Sequence, residues 1–154
     1  MMDAEKRLQE LHLTLPTMAK PMAVYKPTVQ VGNLLYLSGQ VPVQNDGSLI
    51  KGKVGAELTL EQGQQAARQV ALTMLATIKG GIGSLNKIKR LVKTLGMVNS
   101  SPTFYDHPKV INGFSELMRD VFGEDAGVGA RSAVGVASLP SNVAVEVEAI
   151  FELN

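Results

Sequence analysis

Two charged side chains near the C-terminus, Arg131 and Glu146, are the residues best suited to chemistry on a small carboxylate. An arginine guanidinium presents a planar fork of donors that matches a carboxylate in bidentate geometry, and the glutamate sets a carboxylate on the same hairpin. Both lie in the stretch Gly129 to Phe151, which reads as a β-hairpin. The runs Ser132 to Ala137 and Val143 to Phe151 are rich in β-branched residues, and Ser138 to Asn142 between them supplies the Pro, Ser and Asn that turns favour. Val134 and Val136 share one face of the first strand, opposite Arg131, Ala133, Gly135 and Ala137. Val143, Val145 and Val147 share one face of the second, opposite Ala144, Glu146 and Glu148. If both valine sets line the core, the register brings Arg131 and Glu146 together on the other face, since a one-residue slip would turn one valine set outward. Ala133 and Gly135 then leave room for a small ligand to reach the guanidinium. Spacing alone favours a plainer outcome, a solvated cross-strand ion pair worth under about 1 kcal/mol.

The elements that must position these groups are legible along the chain. Residues 3 to 13 form a short amphipathic helix with Ala4, Leu8 and Leu11 at helical spacing, ended by Pro16 and Pro21. Tyr25 follows in a loop, where its hydroxyl either faces a ligand or points into water over a half-buried ring. Val29 to Val31 and Leu34 to Val41 read as strands joined at Gly32-Asn33. The second strand is apolar on both faces, Leu34 and Tyr36 on one and Leu35 and Leu37 on the other, so its second face calls for a partner such as another copy of the chain. Ser38-Gly39-Gln40 ends this strand, and Gly39 allows either close approach of a ligand or a tight bend.

Beyond the turn signal Asn45-Asp46-Gly47-Ser48, Thr59 and Gln62 form a capping box. The helix they open runs to about Lys79, with Ala67, Val70, Ala71, Met74, Leu75 and Ile78 on one face and Gly80-Gly81 as its stop. Ile88 to Val98 is a strand carrying the basic cluster Lys87, Lys89, Arg90 and Lys93, read as a solvated strand entrance. A second helix starts at Asp106 or Pro108 and ends at Phe122, with Val110, Phe114, Leu117, Met118 and Val121 inward. His107 at its start reads as a surface residue, and with His12 far away the two make no metal site. The order is β-β-α-β-α-β-β, an α+β two-layer sandwich whose mixed sheet is covered on one face by two helices.

The chain of 154 residues is read as one domain, with 45% hydrophobic and 19% charged residues. A formal charge of +1 argues against a dedicated nucleic-acid binder. The absence of Cys removes thiol nucleophiles, thiolate metal sites and disulfides, and fits a cytoplasmic location. Neither a signal peptide nor a membrane span is expected.

Two separated motifs carry a resemblance. Ala130-Arg131-Ser132, with Leu139-Pro140 and Val145-Glu146-Val147-Glu148-Ala149 after it, resembles the C-terminal signature of the Rid (YjgF) family. Tyr25, Gly32-Asn33 and Leu37-Ser38-Gly39-Gln40-Val41-Pro42 are similar to the family's upstream strand. The resemblance covers residues 21 to 153 and sets residues 1 to 20 apart as an N-terminal extension. It implies a chorismate-mutase-like fold, a homotrimer with sites in clefts between subunits, and cofactor-independent hydrolysis of enamines and imines such as 2-aminoacrylate to 2-keto acids. Carried over, Arg131 clamps the substrate carboxylate and Glu146 orients water, staying ionised beside a cation. Tyr25, Ser38, Gly39, Asn112 and Ala133 shape the pocket. The chain departs from the family in having Ala133 where Cys is frequent and Gly129 where Pro is common. Family members described as endoribonucleases or translation inhibitors supply one rival reading. A trimer that binds a small carboxylate without turnover is another, and a chorismate mutase, resting on fold alone, is the weakest.

Overall fold

The computed structural model describes residues 2–21 and 23–154. Its elements are α1 (Ala4–Glu10), β1 (Thr28–Val31), β2 (Leu34–Gln40), α2 (Leu60–Ile82), β3 (Ile88–Asn99), α3 (His107–Phe122), β4 (Ala130–Val136) and β5 (Val145–Leu153). Five strands form one mixed sheet in the order β1-β2-β5-β3-β4, and α2 and α3 pack on one face of it, as the two-layer reading expects.

Thr59 caps α2 as its sequence predicts: Gln62 N donates to Thr59 Oγ1 at 3.1 Å and Thr59 N donates to Gln62 Oε1 at 2.8 Å. The apolar stripe of α2 and that of α3 are fully buried, with Phe151 of β5 beneath them. The helix does not stop at Gly80-Gly81. It continues to Ile82 and ends at Gly83, whose φ of +92° and N–H to Lys79 O close the last turn. Two glycines in a helix cost stability without ending it, and a positive φ is what ends this one.

The expected β4–β5 hairpin does not form. β4 pairs only with β3, in parallel, with Thr94 opposite Arg131 and Gly96 opposite Ala133. β5 instead inserts between β2 and β3, antiparallel to both. The segment between them is zipped elsewhere: Ala144 N donates to Ile50 O at 3.0 Å, and the Asn99 amide donates to Val143 O at 3.1 Å. Central placement suits β5, because Val145, Val147, Ala149 and Phe151 bury one whole side of it under the helices. β4 offers that side only Arg131, Ala133 and Gly135, and lies at the sheet edge.

Residues 1 to 20, set apart in the sequence, carry a helix docked on the same core. Ala4 and Leu8 of α1 are buried, Arg7 Nε donates to Asp120 O at 3.0 Å, and Leu85 N donates to Glu5 Oε1 at 2.9 Å. Among the described residues nothing of this chain covers the sheet's other face. It carries Val29, Val31, Tyr36 and Val134, each more than 40% exposed, on the side expected to need a partner. Among the described residues no helix is long and apolar enough to cross a membrane, and no three His, Cys, Asp or Glu side chains converge on a metal position.

Candidate functional site

The sheet order puts the two principal candidates on opposite faces. Arg131 shares its face with Thr94, which is buried under the helices, whereas Glu146 lies opposite Met97, on the open face. The register expected to bring them together is therefore absent. Alternation grouped the side chains correctly within each strand, but the valines of β4 do not line the core: Val134 is exposed on the open face and Arg131 takes the helix side, while in β5 the valines take the helix side and Glu146 the open face.

On the helix face, Arg131 reaches the first turns of α3. Its Nη1 donates to Asn112 Oδ1 at 2.8 Å and to Ser115 Oγ at 3.2 Å, and its Nη2 donates to Pro108 O at 3.4 Å. Of five guanidinium donors, Nε–H and one Nη2–H remain, enough for a two-bond clasp on a carboxylate. They border a cleft of about 330 Å3 lined by Thr94, Asn112, Ser115, Arg119 and Arg131, among others. Asn112, which the resemblance associates with the pocket, lies beside Arg131. Ser115 and Arg119 were missed, although Ser115 lies three residues after Asn112 and Arg119 four after Ser115, the spacing that puts helix side chains on one face. Gly129 explains one departure from the family pattern: a Cβ there would stand 2.8 Å from Leu91 O and 2.9 Å from Val92 O, so β4 enters the sheet against the β3 backbone where only glycine fits. Ala133 is partly buried against the core beside Gly96.

On the open face, the Glu146 carboxylate lies over Gly39, so close that a Cβ at position 39 would overlap its Oε2. The motif Ser38-Gly39-Gln40 is a bulge in β2 that makes this possible. Ser38 Oγ ties it to Lys26 O at 2.5 Å, and Gln40 turns to the helix face and accepts from Thr77 Oγ1 at 2.8 Å. Burial pushes the Glu146 carboxyl above its usual range, and Glu148 pushes it further in the same direction. The cation expected beside Glu146 is absent, and neither a cation nor a hydrogen-bond donor among the described residues offsets the burial. Tyr25 is 55% exposed and shares with Gly39 a cleft of about 320 Å3 that Thr77 and Gly81 of α2 also line.

The arrangement has two halves: a preoriented guanidinium and a poorly solvated carboxylate, separated by one sheet. The comparisons with known proteins concern the chain as a whole. The model described as "YjgF/chorismate_mutase-like, putative endoribonuclease" matches residues 5–153. Protein TCP17 of Trypanosoma cruzi is 46% identical over 147 residues, covering 96% of this chain and 92% of that protein. A 2-iminobutanoate/2-iminopropanoate deaminase of Dermatophagoides farinae is 30% identical over 139 residues, covering 90% and 92%. A crystal structure of a protein of unknown function from Agrobacterium tumefaciens superposes with a TM-score of 0.89 at 44% identity, covering 98% and 94%. With a family model matched over residues 5–153 and relatives and a fold that agree over nearly the whole length, the chain belongs to the YjgF, or Rid, family.

Proposed function

We propose that the protein hydrolyses reactive enamine and imine intermediates of the 2-aminoacrylate and 2-imino acid class to 2-keto acids and ammonia, without a cofactor. The observation that carries this reading is Glu146, a half-buried carboxylate with a raised pKa and no partner of its own, in a chain related to a named imine deaminase. Arg131 binds the substrate carboxylate through its two free donors. Glu146 orients a water and takes its proton as the oxygen attacks C2. Glu146 passes that proton to nitrogen and then takes the remaining hydroxyl proton as the C–N bond breaks, so that C2 becomes a keto carbon and ammonia leaves. A protonated imine is already a strong electrophile, so positioning and a well-placed base supply most of what is needed.

One sheet cannot present both groups to one small molecule, so the site is assembled between protomers. Arg131 lies on the edge strand β4, and a neighbour whose open face meets that edge brings Glu146, Gly39, Ser38 and Tyr25 to it. The exposed Val29, Val31, Tyr36 and Val134 give that face the apolar surface of an interface, and a homotrimer with three such clefts satisfies every protomer equally. The ribonuclease reading gains nothing from the basic cluster, since Lys89 pairs with Glu152 at 3.2 Å and Arg90 with Asp125 at 3.4 Å.

The test is hydrolysis of freshly generated 2-iminopropanoate and bulkier 2-imino acids by wild type, Arg131→Ala, Glu146→Ala and a mixture of the two variants refolded together. Each variant alone is inactive. In the mixture about a quarter of the sites regain both groups, because each cleft draws its Arg and its Glu from different chains. Recovery near zero means that the groups do not meet across an interface. If wild type matches the uncatalysed rate across the whole panel, the deaminase reading gives way to carboxylate binding without turnover.

A further inference from the structure

At the other end of β4 a separate cleft of about 460 Å3 is built around Lys53 and His107. Its geometry is set by a fully buried asparagine. The Asn99 amide donates to Asn142 Oδ1 at 3.0 Å and to Val143 O at 3.1 Å, which turns its Oδ1 toward Lys53 Nζ at 2.9 Å. A second bond from Lys53 Nζ goes to Ala137 O. Both acceptors are neutral, and one of the three ammonium N–H groups is left over. The nearby Glu57 carboxylate accepts from the Lys53 backbone N–H at 3.1 Å, and among the described residues no carboxylate lies within ion-pair distance of the ammonium.

The imidazole opposite is held just as specifically. His107 Nε2 lies 3.2 Å from Ser100 Oγ, and the Phe104 ring meets the imidazole edge-on with centroids 5.7 Å apart. A Cβ on Gly135 would overlap Nε2 and stand 2.7 Å from Ser100 Oγ, so glycine keeps this floor open. No acidic residue lines the cleft, while Phe104, Tyr105 and Val136 give it an apolar wall.

We infer that this cleft binds a small monocarboxylate with an aromatic or branched apolar body, the carboxylate at Lys53 and His107 and the body against Phe104 and Tyr105. A partly buried ammonium without a counter-ion gains more from an anion than from water, and the flanking apolar surface selects a ligand with a hydrophobic part. Gly135 is four residues beyond Arg131, roughly 13 Å along the strand, so the two sites are separate and neither depends on the other.

Titration calorimetry of the full-length protein with benzoate, benzamide and inorganic phosphate tests this. Benzoate binds wild type with a Kd on the order of 1 mM. Lys53→Met weakens it at least about tenfold, Lys53→Arg keeps it within about threefold, and Arg131→Ala leaves it unchanged. Benzamide and phosphate bind at least about tenfold more weakly than benzoate, the first lacking the charge and the second the apolar body. Should Lys53→Met fail to fold, Gly135→Ala serves instead, since it displaces His107 and leaves Lys53 in place, and benzoate binding weakens there too. The inference is overturned if wild type takes up no benzoate, if benzamide or phosphate binds as well, or if binding survives Lys53→Met and disappears in Arg131→Ala.

Discussion

Arg131 and Glu146 occupy the two faces of one sheet, and their surroundings differ as the faces do. Arg131 is tied to α3 by three acceptors at 2.8 to 3.4 Å, so its direction is fixed before any ligand arrives. Glu146 has burial and a like charge at Glu148, and among the described residues nothing that stabilises its ionised form. The first region is finished within the protomer and keeps two donors in reserve. The second is unfinished, its carboxylate destabilised and its apolar surroundings uncovered. A charge held by its own fold is preorganised for binding, whereas a charge without partners is available for proton transfer.

The largest effects follow from breaking the finished half. Arg131→Ala lowers kcat/KM for 2-iminopropanoate by about 1000-fold and costs about 1–2 kcal/mol in stability, because Asn112 Oδ1 and Ser115 Oγ lose the donor that Arg131 supplies. Arg131→Lys keeps the charge and recovers less than a tenth of the activity, since an ammonium cannot serve α3 and a bidentate carboxylate together. Steady-state kinetics and chemical denaturation of the two variants, taken side by side, read both quantities. Recovery of most of the activity by lysine would mean that charge alone matters and that the α3 contacts orient nothing.

Next comes the unfinished half. Gly39→Ala drives a methyl group into the Glu146 carboxylate and lowers kcat by about 100-fold while leaving KM within a few-fold, as Arg131 is untouched. Asn112→Ala is milder. It frees Arg131 Nη1 from its shortest bond and raises KM about tenfold with little change in kcat, because the guanidinium still reaches Ser115 and Pro108 O. A kcat effect for Asn112 and a KM effect for Gly39 would reverse the assignment of binding to one face and proton transfer to the other.

Local signals in the sequence reached as far as local physics does. The capping box at Thr59, the buried stripes of α2 and α3 and the doubly apolar β2 all follow from spacing that each element enforces on itself. The hairpin failed because alternation tells which side a residue faces and not which strand lies beside it. Element order held part of the answer: β3-α3-β4 is a crossover unit, and such units join parallel strands. The apolar density of Val145, Val147, Ala149 and Phe151 likewise suited a central strand better than an edge. Asn112 was found through family resemblance, and Ser115 was one helical turn from it. The state of Glu146 was beyond reach, since it depends on a bulge in β2, on the missing side chain at Gly39 and on how far β5 is buried.

The smallest predicted effect tests that state most directly. Folding raises the Glu146 pKa, so the native protein binds this proton more tightly than the unfolded chain does. The group's contribution is therefore most favourable below the unfolded value of 4.5 and is lost as pH rises through the higher folded value. Above that range folding works against the ionised form, a net cost softened by the group's partial exposure. Glu146→Gln keeps the shape, removes the charge and raises Tm on the order of 2 °C at pH 7 even as hydrolysis disappears. At pH 4, where the wild-type carboxyl is itself largely protonated, the difference vanishes. Thermal melts of wild type and variant between pH 4 and 8 measure this directly. A variant less stable than wild type at pH 7 would mean that Glu146 has a stabilising partner, in which case the open face is as finished as the other and the carboxylate is not held for proton transfer.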